Sequence, residues 1–269
     1  MTVARNLPSV GCIGCGNMGG AIMAGLSARH GRNLYGYNRT PERLRRLEPQ
    51  VRPVADMAEL ASLADIVIIA VKPHLVRGVL DAILPALTSK KLVVSVAAGI
   101  TQAVLRAGVD GICPVVRAMP NTPALAGRGV TALCFEDPAL REEQKQQLHE
   151  LFGCVGMTLE LPESRFAAFS AFIGCGPGYV FHCMNAVMQA GVTLGFPRAE
   201  ARRMTEMLFE GCACMAGQSE ASLSDLRDQV CSPGGMTIAG VNHMERTGVA
   251  GHIIDAVLAA DARGRDMEK

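Results

Sequence analysis

The stretch Val10-Gly11-Cys12-Ile13-Gly14-Cys15-Gly16-Asn17-Met18-Gly19 decides how this chain is read. Val10 to Ile13 is a short apolar β-type run, and a helical pattern begins at Met18 and continues to Ala28, so the glycines fall on a strand-to-helix turn. Gly14-x-Gly16-x-x-Gly19 is the spacing of a loop that cradles a pyrophosphate. The first glycine makes the tight turn, the second lets the backbone approach the phosphates, and the third packs the helix on the sheet. Free N–H groups at the helix start, around Asn17 and Met18, then face the anion.

Outward from this turn, strand and helix patterns alternate. Leu34 to Tyr37, Ile66 to Val71, Leu92 to Val96 and Val115 to Ala118 read as strands, and Ile66 to Ile69 is apolar on both faces, as a strand covered from both sides must be. Helical patterns occupy Pro41 to Arg46, Met57 to Leu63, Leu75 to Leu84 and Thr101 to Arg106. Val130 to Phe135, a helix from Pro138 to Phe152, and Met157 to Leu161 close the unit. This order predicts an α/β fold with a Rossmann-like doubly wound parallel sheet over residues 1–161.

Strand ends on one edge of such a sheet carry the ligand. Where binders of NAD place an acid to hold the ribose, this chain has Asn38-Arg39-Thr40, a cationic and neutral donor set suited to a 2'-phosphate. NADPH is therefore the expected cofactor, with NADH possible. Ala70-Val71-Lys72-Pro73 and Ala97-Ala98-Gly99 follow two other strands, and their small residues let a nicotinamide ribose approach the backbone. Lys72 is read as positional rather than as a catalytic ammonium. The stiff loop Met119-Pro120-Asn121-Thr122-Pro123 lies beside the cofactor and can wall a substrate pocket, or Asn121 caps the turn; Asn121 is expected among the cofactor residues.

After Pro162 strand signals cease, and helical patterns run over Arg165 to Leu194, Arg198 to Ala216, Ser222 to Val230, Gly235 to Arg246 and Val249 to Ala262. Residues 162–269 are thus expected to form an all-helical domain. Within it, Ser232-Pro233-Gly234-Gly235-Met236-Thr237 precedes an apolar helix, and its glycines free several N–H groups for a carboxylate. Ser232 and Thr237 add hydroxyls for a small polar ring.

Composition excludes other classes. The 269 residues carry 26 Lys or Arg against 25 Asp or Glu, a net charge of +1, which argues against a nucleic-acid partner. Hydrophobic residues make up 49% and charged residues 19%, which excludes disorder. Ten cysteines are scattered through apolar segments, and Met1 to Gly20 has no apolar export core, so reduced thiols and a cytoplasmic location are expected. Phe166 to Pro197 has no charged residue, yet Gly174, Gly176, Pro177, Gly178, His182, Asn185 and Gln189 favour a buried interface helix over a membrane span. Cys12-x-x-Cys15 and Cys212-x-Cys214 lack converging partners, so no metal site is expected. No Gly-x-Ser-x-Gly sequence or Ser/His/Asp order supports hydrolysis.

Across its whole length the chain resembles the pyrroline-5-carboxylate reductase family. The resemblance rests on Ile13 to Gly19, Asn38-Arg39-Thr40, Ala70 to Pro73, Ala97 to Ile100, Arg117 to Pro123 and, above all, Asp228-Gln229-Val230-Cys231-Ser232-Pro233-Gly234-Gly235-Met236-Thr237-Ile238-Ala239-Gly240. It implies NADPH-dependent reduction of 1-pyrroline-5-carboxylate to L-proline and a helical C-terminal dimerisation domain, with a homodimer or a larger assembly of dimers. It places the substrate carboxylate on Ser232, Gly234, Gly235 and Met236, the ring-nitrogen hydroxyl on Thr237, and two nearby acids on Glu163 and Glu220. The chain departs from the family in the Ile173 to Gly178 segment, which loses two hydroxyls, at Ala167 in place of an acid, and at Gln229 in place of an amide one carbon shorter. Two other readings stand beside this one: a reductase of another cyclic imino acid, and a non-catalytic NADPH-binding sensor. A β-hydroxyacid dehydrogenase would need a helical-domain lysine, and there is none between Lys145 and Lys269.

Overall fold

The computed structural model describes residues 7–28 and 33–267; the first six residues, part of the segment read for an export signal, lie outside the described residues. Contacts divide the chain into two compact units, one of Met1–Gly174 with Gly264–Lys269 and one of Cys175–Arg263. The change from strand to helix read at 161/162 precedes that contact boundary, because the first helical turns after the sheet stay packed on it.

The first unit is built on an eight-stranded sheet. In chain order its elements are β1 (Val10–Ile13), α1 (Asn17–Ser27), β2 (Leu34–Tyr37), α2 (Glu42–Arg45), β3 (Arg52–Pro53), α3 (Met57–Leu63), β4 (Ile66–Ile69), α4 (Val76–Ile83), β5 (Leu92–Ser95), α5 (Gln102–Gly108), β6 (Val115–Pro120), β7 (Gly129–Cys134), α6 (Glu142–Phe152) and β8 (Gly156–Glu160). The strand order is β3-β2-β1-β4-β5-β6-β7-β8, so the winding reverses between β1 and β4. β1 through β6 run parallel, whereas β7 pairs antiparallel to β6 and β8 follows β7. The expected sheet is thus doubly wound but mixed at one edge. The short link after Pro120 is too brief for a parallel crossover, so the chain turns back directly.

β4 shows why the apolar run had to be central. Ile66 and Ile68 enter the core on one face with Ile22, Met23 and Phe152, and Val67 and Ile69 enter the other with Leu60, Leu80 and Leu105. β3 escaped the sequence reading because it has two residues, one of them Pro53, and lies at the edge where a missing N–H costs nothing. α6 begins at Glu142 rather than Pro138: the Asp137 carboxylate accepts from Ala139 N at 2.9 Å and holds a turn, and Gln144 Oε1 then accepts from Arg141 N at 3.0 Å to cap the helix.

Behind β8 the predicted continuous helix is broken. α7 (Phe166–Phe169) passes into a π-helical turn over Ser170–Gly174. In the second unit α8 (Gly176–Thr193) follows, then α9 (Arg198–Gly217), α10 (Leu223–Gln229), α11 (Met236–Arg246) and α12 (Val249–Met267), the last of which belongs to this unit as far as Arg263. α8 and α9 close at Gly191 and Ala201, where a Cβ on the glycine would stand 3.1 Å from the alanine methyl. None of α8 is buried in the chain alone, although it is largely apolar. The stretch Glu163–Thr193 is long and apolar enough to cross a membrane by length and composition.

One buried charge ties the first unit together. Arg117 on β6 is 4% exposed, donates from Nη1 to Glu163 Oε1 at 3.1 Å, and stacks over Phe166 with 4.6 Å to the ring centre. The same Glu163 oxygen accepts from Gln102 N at 2.7 Å, so one carboxylate joins β6, the start of α5 and the exit from β8. Replacing Glu163 with Gln preserves shape but leaves the guanidinium uncompensated. Urea unfolding should show a loss of about 2–4 kcal/mol, the scale for a largely buried pair; a change within error would mean that the pair contributes nothing.

Candidate active site

Because β1, β2, β4, β5 and β6 are parallel, their carboxyl ends share one edge, and the expected cofactor residues gather there. Gly14 has φ +97°, and a Cβ on it would lie 2.5 Å from the Ala70 carbonyl oxygen. Gly19 sits against the Gly14 carbonyl and the Ala70 methyl, which leaves no room for a side chain. The loop is closed by Gly14 N donating to Tyr37 O and Ala70 N donating to Ile13 O, both at 2.8 Å. α1 opens at Gly16 with no side-chain cap and no acid in its first turn, so Asn17, Met18 and Gly19 present amides at a positive helix end. This cradle fits a dinucleotide pyrophosphate.

At the end of β2, Asn38 Nδ2 donates to Thr40 O at 2.8 Å and shapes the loop, while Arg39 and Thr40 are exposed. Sequence reasoning did not place two further cations, Arg43 and Arg46, at the loop. Arg46 Nη2 donates to Gly16 O at 3.2 Å, and Arg43 Nη1 lies 3.4 Å from where a Cβ on Gly16 would stand. The only signal was their three-residue spacing, which puts both on one face of a short helix.

Val71 packs beside Gly14, and Lys72 and Pro73 are exposed at the start of a 3-10 turn, Lys72 O accepting from Leu75 N at 2.9 Å. At the end of β5, buried Ser95 accepts from Ala97 N at 3.2 Å; Ala97 is buried, and Ala98 and Gly99, the latter with φ +74°, are exposed.

Asn121 is otherwise employed than as a free pocket amide. It is buried, its Oδ1 accepts from Val130 N at 2.9 Å, and its Nδ2 donates to Ile173 O at 3.2 Å. In an unbroken helix that carbonyl would accept from residue 177, but Pro177 has no N–H. Glu163, expected near the substrate, uses one carboxylate oxygen, Oε1, to accept from both Arg117 and Gln102.

In the second unit, Gly234 has φ +69° and Gly235 N donates to Ser232 O at 3.0 Å, which turns the chain into α11. Gly235 is the N-cap without a side-chain bond, and Ser232, Met236 and Thr237 are exposed on that turn. Glu220 is exposed in the link between α9 and α10.

Both parts match family models. Residues 163–267 match the model described as pyrroline-5-carboxylate reductase dimerisation, and residues 9–99 match the one described as NADP oxidoreductase coenzyme F420-dependent. The pyrroline-5-carboxylate reductase of Corynebacterium melassecola is 34% identical over 98% of this chain and 100% of its own. The chain belongs to the pyrroline-5-carboxylate reductase family. A solved pyrroline-5-carboxylate reductase from Coxiella burnetii superimposes with a TM-score of 0.91 at 31% identity, covering 98% of this chain and 100% of that one. The Plasmodium falciparum pyrroline carboxylate reductase, solved with NADP bound, does so with a TM-score of 0.86 at 28% identity, over 98% and 99%. This chain carries Ile173 and Cys175 at the helix break, where the resemblance led us to expect hydroxyls.

Replacing Asn121 with Ala would strand two part-buried backbone groups. At about 1–3 kcal/mol each, the variant should be clearly less stable in urea unfolding; unchanged stability would show that water or a local shift serves both.

Proposed function

We propose that the chain reduces 1-pyrroline-5-carboxylate to L-proline with NADPH. The observation that carries this reading is full-length similarity to reductases of that name, joined to an uncapped glycine cradle at the ligand edge of the sheet. When bound, the dinucleotide supplies the hydride that turns C=N into CH–NH. The chain's residues hold and orient. Gly14, Gly16, Asn17, Met18 and Gly19 take the pyrophosphate, Asn38, Arg39 and Thr40 the 2'-phosphate, and Ala70 to Pro73 with Ala97 to Gly99 flank the nicotinamide ribose. The amides from Ser232 to Met236 take the substrate carboxylate, and Glu220 stands as the nearby acid. Thr237 Oγ1 accepts from the protonated ring nitrogen, which keeps the imine carbon electrophilic. With a cationic imine no strong general acid is needed, and placement of the reacting carbon supplies most of the help.

Residues 1–161 serve the cofactor, and 162–269 serve the substrate and the dimer. The exposed apolar side chains Phe172, Phe181, Leu194, Met207 and Leu258 support a homodimer or a larger assembly of dimers. Ten free cysteines and a net charge of +1 support a cytoplasmic enzyme without nucleic-acid or membrane partners. The altered Ile173 to Gly178 segment favours a second reading, another cyclic imino acid as substrate. Oxidation of NADPH with pyrroline-5-carboxylate and with a six-membered homologue decides between them; binding of NADPH without turnover of either would mark a sensor.

Two variants test the assignments. Arg39 to Ala should raise the KM for NADPH roughly tenfold or more while barely moving that for NADH, the effect of one charge-assisted bond to phosphate; equal shifts would remove Arg39 from the phosphate site. Thr237 to Val keeps the β-branched shape and should lower kcat/KM roughly tenfold to a hundredfold with NADPH binding unchanged. Full activity in that variant would mean that another group orients the ring.

A further inference from the structure

The cofactor loop contains a feature that imine reduction does not use. Cys12 and Cys15 are both fully buried, on the same face of the sheet, in the same apolar cluster. Gly14, at φ +97°, folds the loop back and brings the two thiols into the same pocket. Cys15 donates from Sγ to the Cys12 carbonyl at 3.6 Å. Glycines clear the space: a Cβ on Gly19 would stand 2.9 Å from Cys12 Sγ, and one on Gly36 would stand 3.4 Å from Cys15 Sγ. Gly36 is the register partner of Cys12 on β2, so the bare glycine leaves the place beside Cys12 that the second sulfur occupies.

We propose that Cys12 and Cys15 form a dithiol modification site, oxidised by a water-sized peroxide to a disulfide that disables the dinucleotide loop. The consequence for the cofactor rests on the NADPH reading above. The Cys15 thiolate attacks one oxygen of hydrogen peroxide, the O–O bond breaks, and Cys15 becomes a sulfenic acid as hydroxide leaves. Cys12 then gives up its proton and attacks the Cys15 sulfur, expelling a second hydroxide. Two thiols and one peroxide become one disulfide and two waters.

The order of attack follows from the surroundings. The Cys12 thiol donates to Cys15 and, despite burial, holds the Cys15 pKa below the usual thiol value, with help from the Arg46 guanidinium. Cys12 is pushed well above its usual value by that bond and by burial. Two other buried thiols, Cys113 and Cys134, are each pushed up to about 11, chiefly by burial, and stay protonated. Closing the S–S bond draws the two sulfurs to about 2 Å. Cys12 is held in the sheet on both sides, so the movement falls on Gly14 to Gly16, where the amides face the pyrophosphate.

The test uses the reduced full-length protein without cofactor. After peroxide treatment, the tryptic peptide following Arg5, which holds Cys12 and Cys15 and no other cysteine, should lose two hydrogens and resist alkylation. NADPH affinity by fluorescence should fall roughly tenfold or more, the effect of losing a single loop bond to phosphate, and dithiothreitol should restore it. In Cys12→Ala the cross-link should be absent, and dithiothreitol should not restore peroxide-treated protein, since an unresolved sulfenic acid passes to sulfinic acid. Two alkylatable thiols after peroxide, or a disulfide with undiminished NADPH affinity, would overturn the proposal. Failure of the reduced protein to bind NADPH would overturn the cofactor reading instead, with the cross-link still decided by the peptide.

Discussion

The approach of β1 to β4 at the carboxyl edge is the constraint on which the rest depends. A Cβ on Gly14 would stand 2.5 Å from the Ala70 carbonyl oxygen, so the two strands can end side by side only because that residue is glycine. The winding reverses between the same strands, which sends the helices that follow them to opposite faces and leaves the edge between them open. Gly19 keeps α1 tight on this point, and the free amides of α1 are thereby aimed into the opening. Cradle, cofactor edge and sheet topology are consequences of one close contact.

A second set of constraints gathers on β6, the strand that is parallel to one neighbour and antiparallel to the other. Asp137 accepts from Val115 N at 3.1 Å and from Arg106 at 2.7 Å, Gln102 donates to Val115 O at 3.0 Å, and Glu163 meets Arg117. At the far end Asn121 takes up Ile173 O. These bonds stand where a regular continuation would have supplied backbone partners. They hold the strand in place while the chain changes direction and the helical segment breaks at a π turn.

The cofactor loop is electrostatically prepared by what is missing as much as by what is present. No acid lies in the first turn of α1, and Arg46 reaches Gly16 O across the loop. The same guanidinium favours an anion on Cys15, so the field that suits phosphate also sharpens a buried thiol. A reactive sulfur at this point is a by-product of an anion site to which a second cysteine has been added.

The sequence alone determined the α/β-then-helical order, the glycine cradle, the absence of an acid after β2 and the Ser232 to Thr237 turn. Each of these depends on residues a few positions apart, where dihedral freedom, apolar period and missing charge can be read directly. The reversed β7, the break before α8 and the employment of Asn121 and Glu163 were decided by the tertiary structure. They depend on partners 9 to 61 residues away, such as Val130 for Asn121 and Gln102 for Glu163, and a polar side chain shows its partner only once the fold has brought it within hydrogen-bond reach.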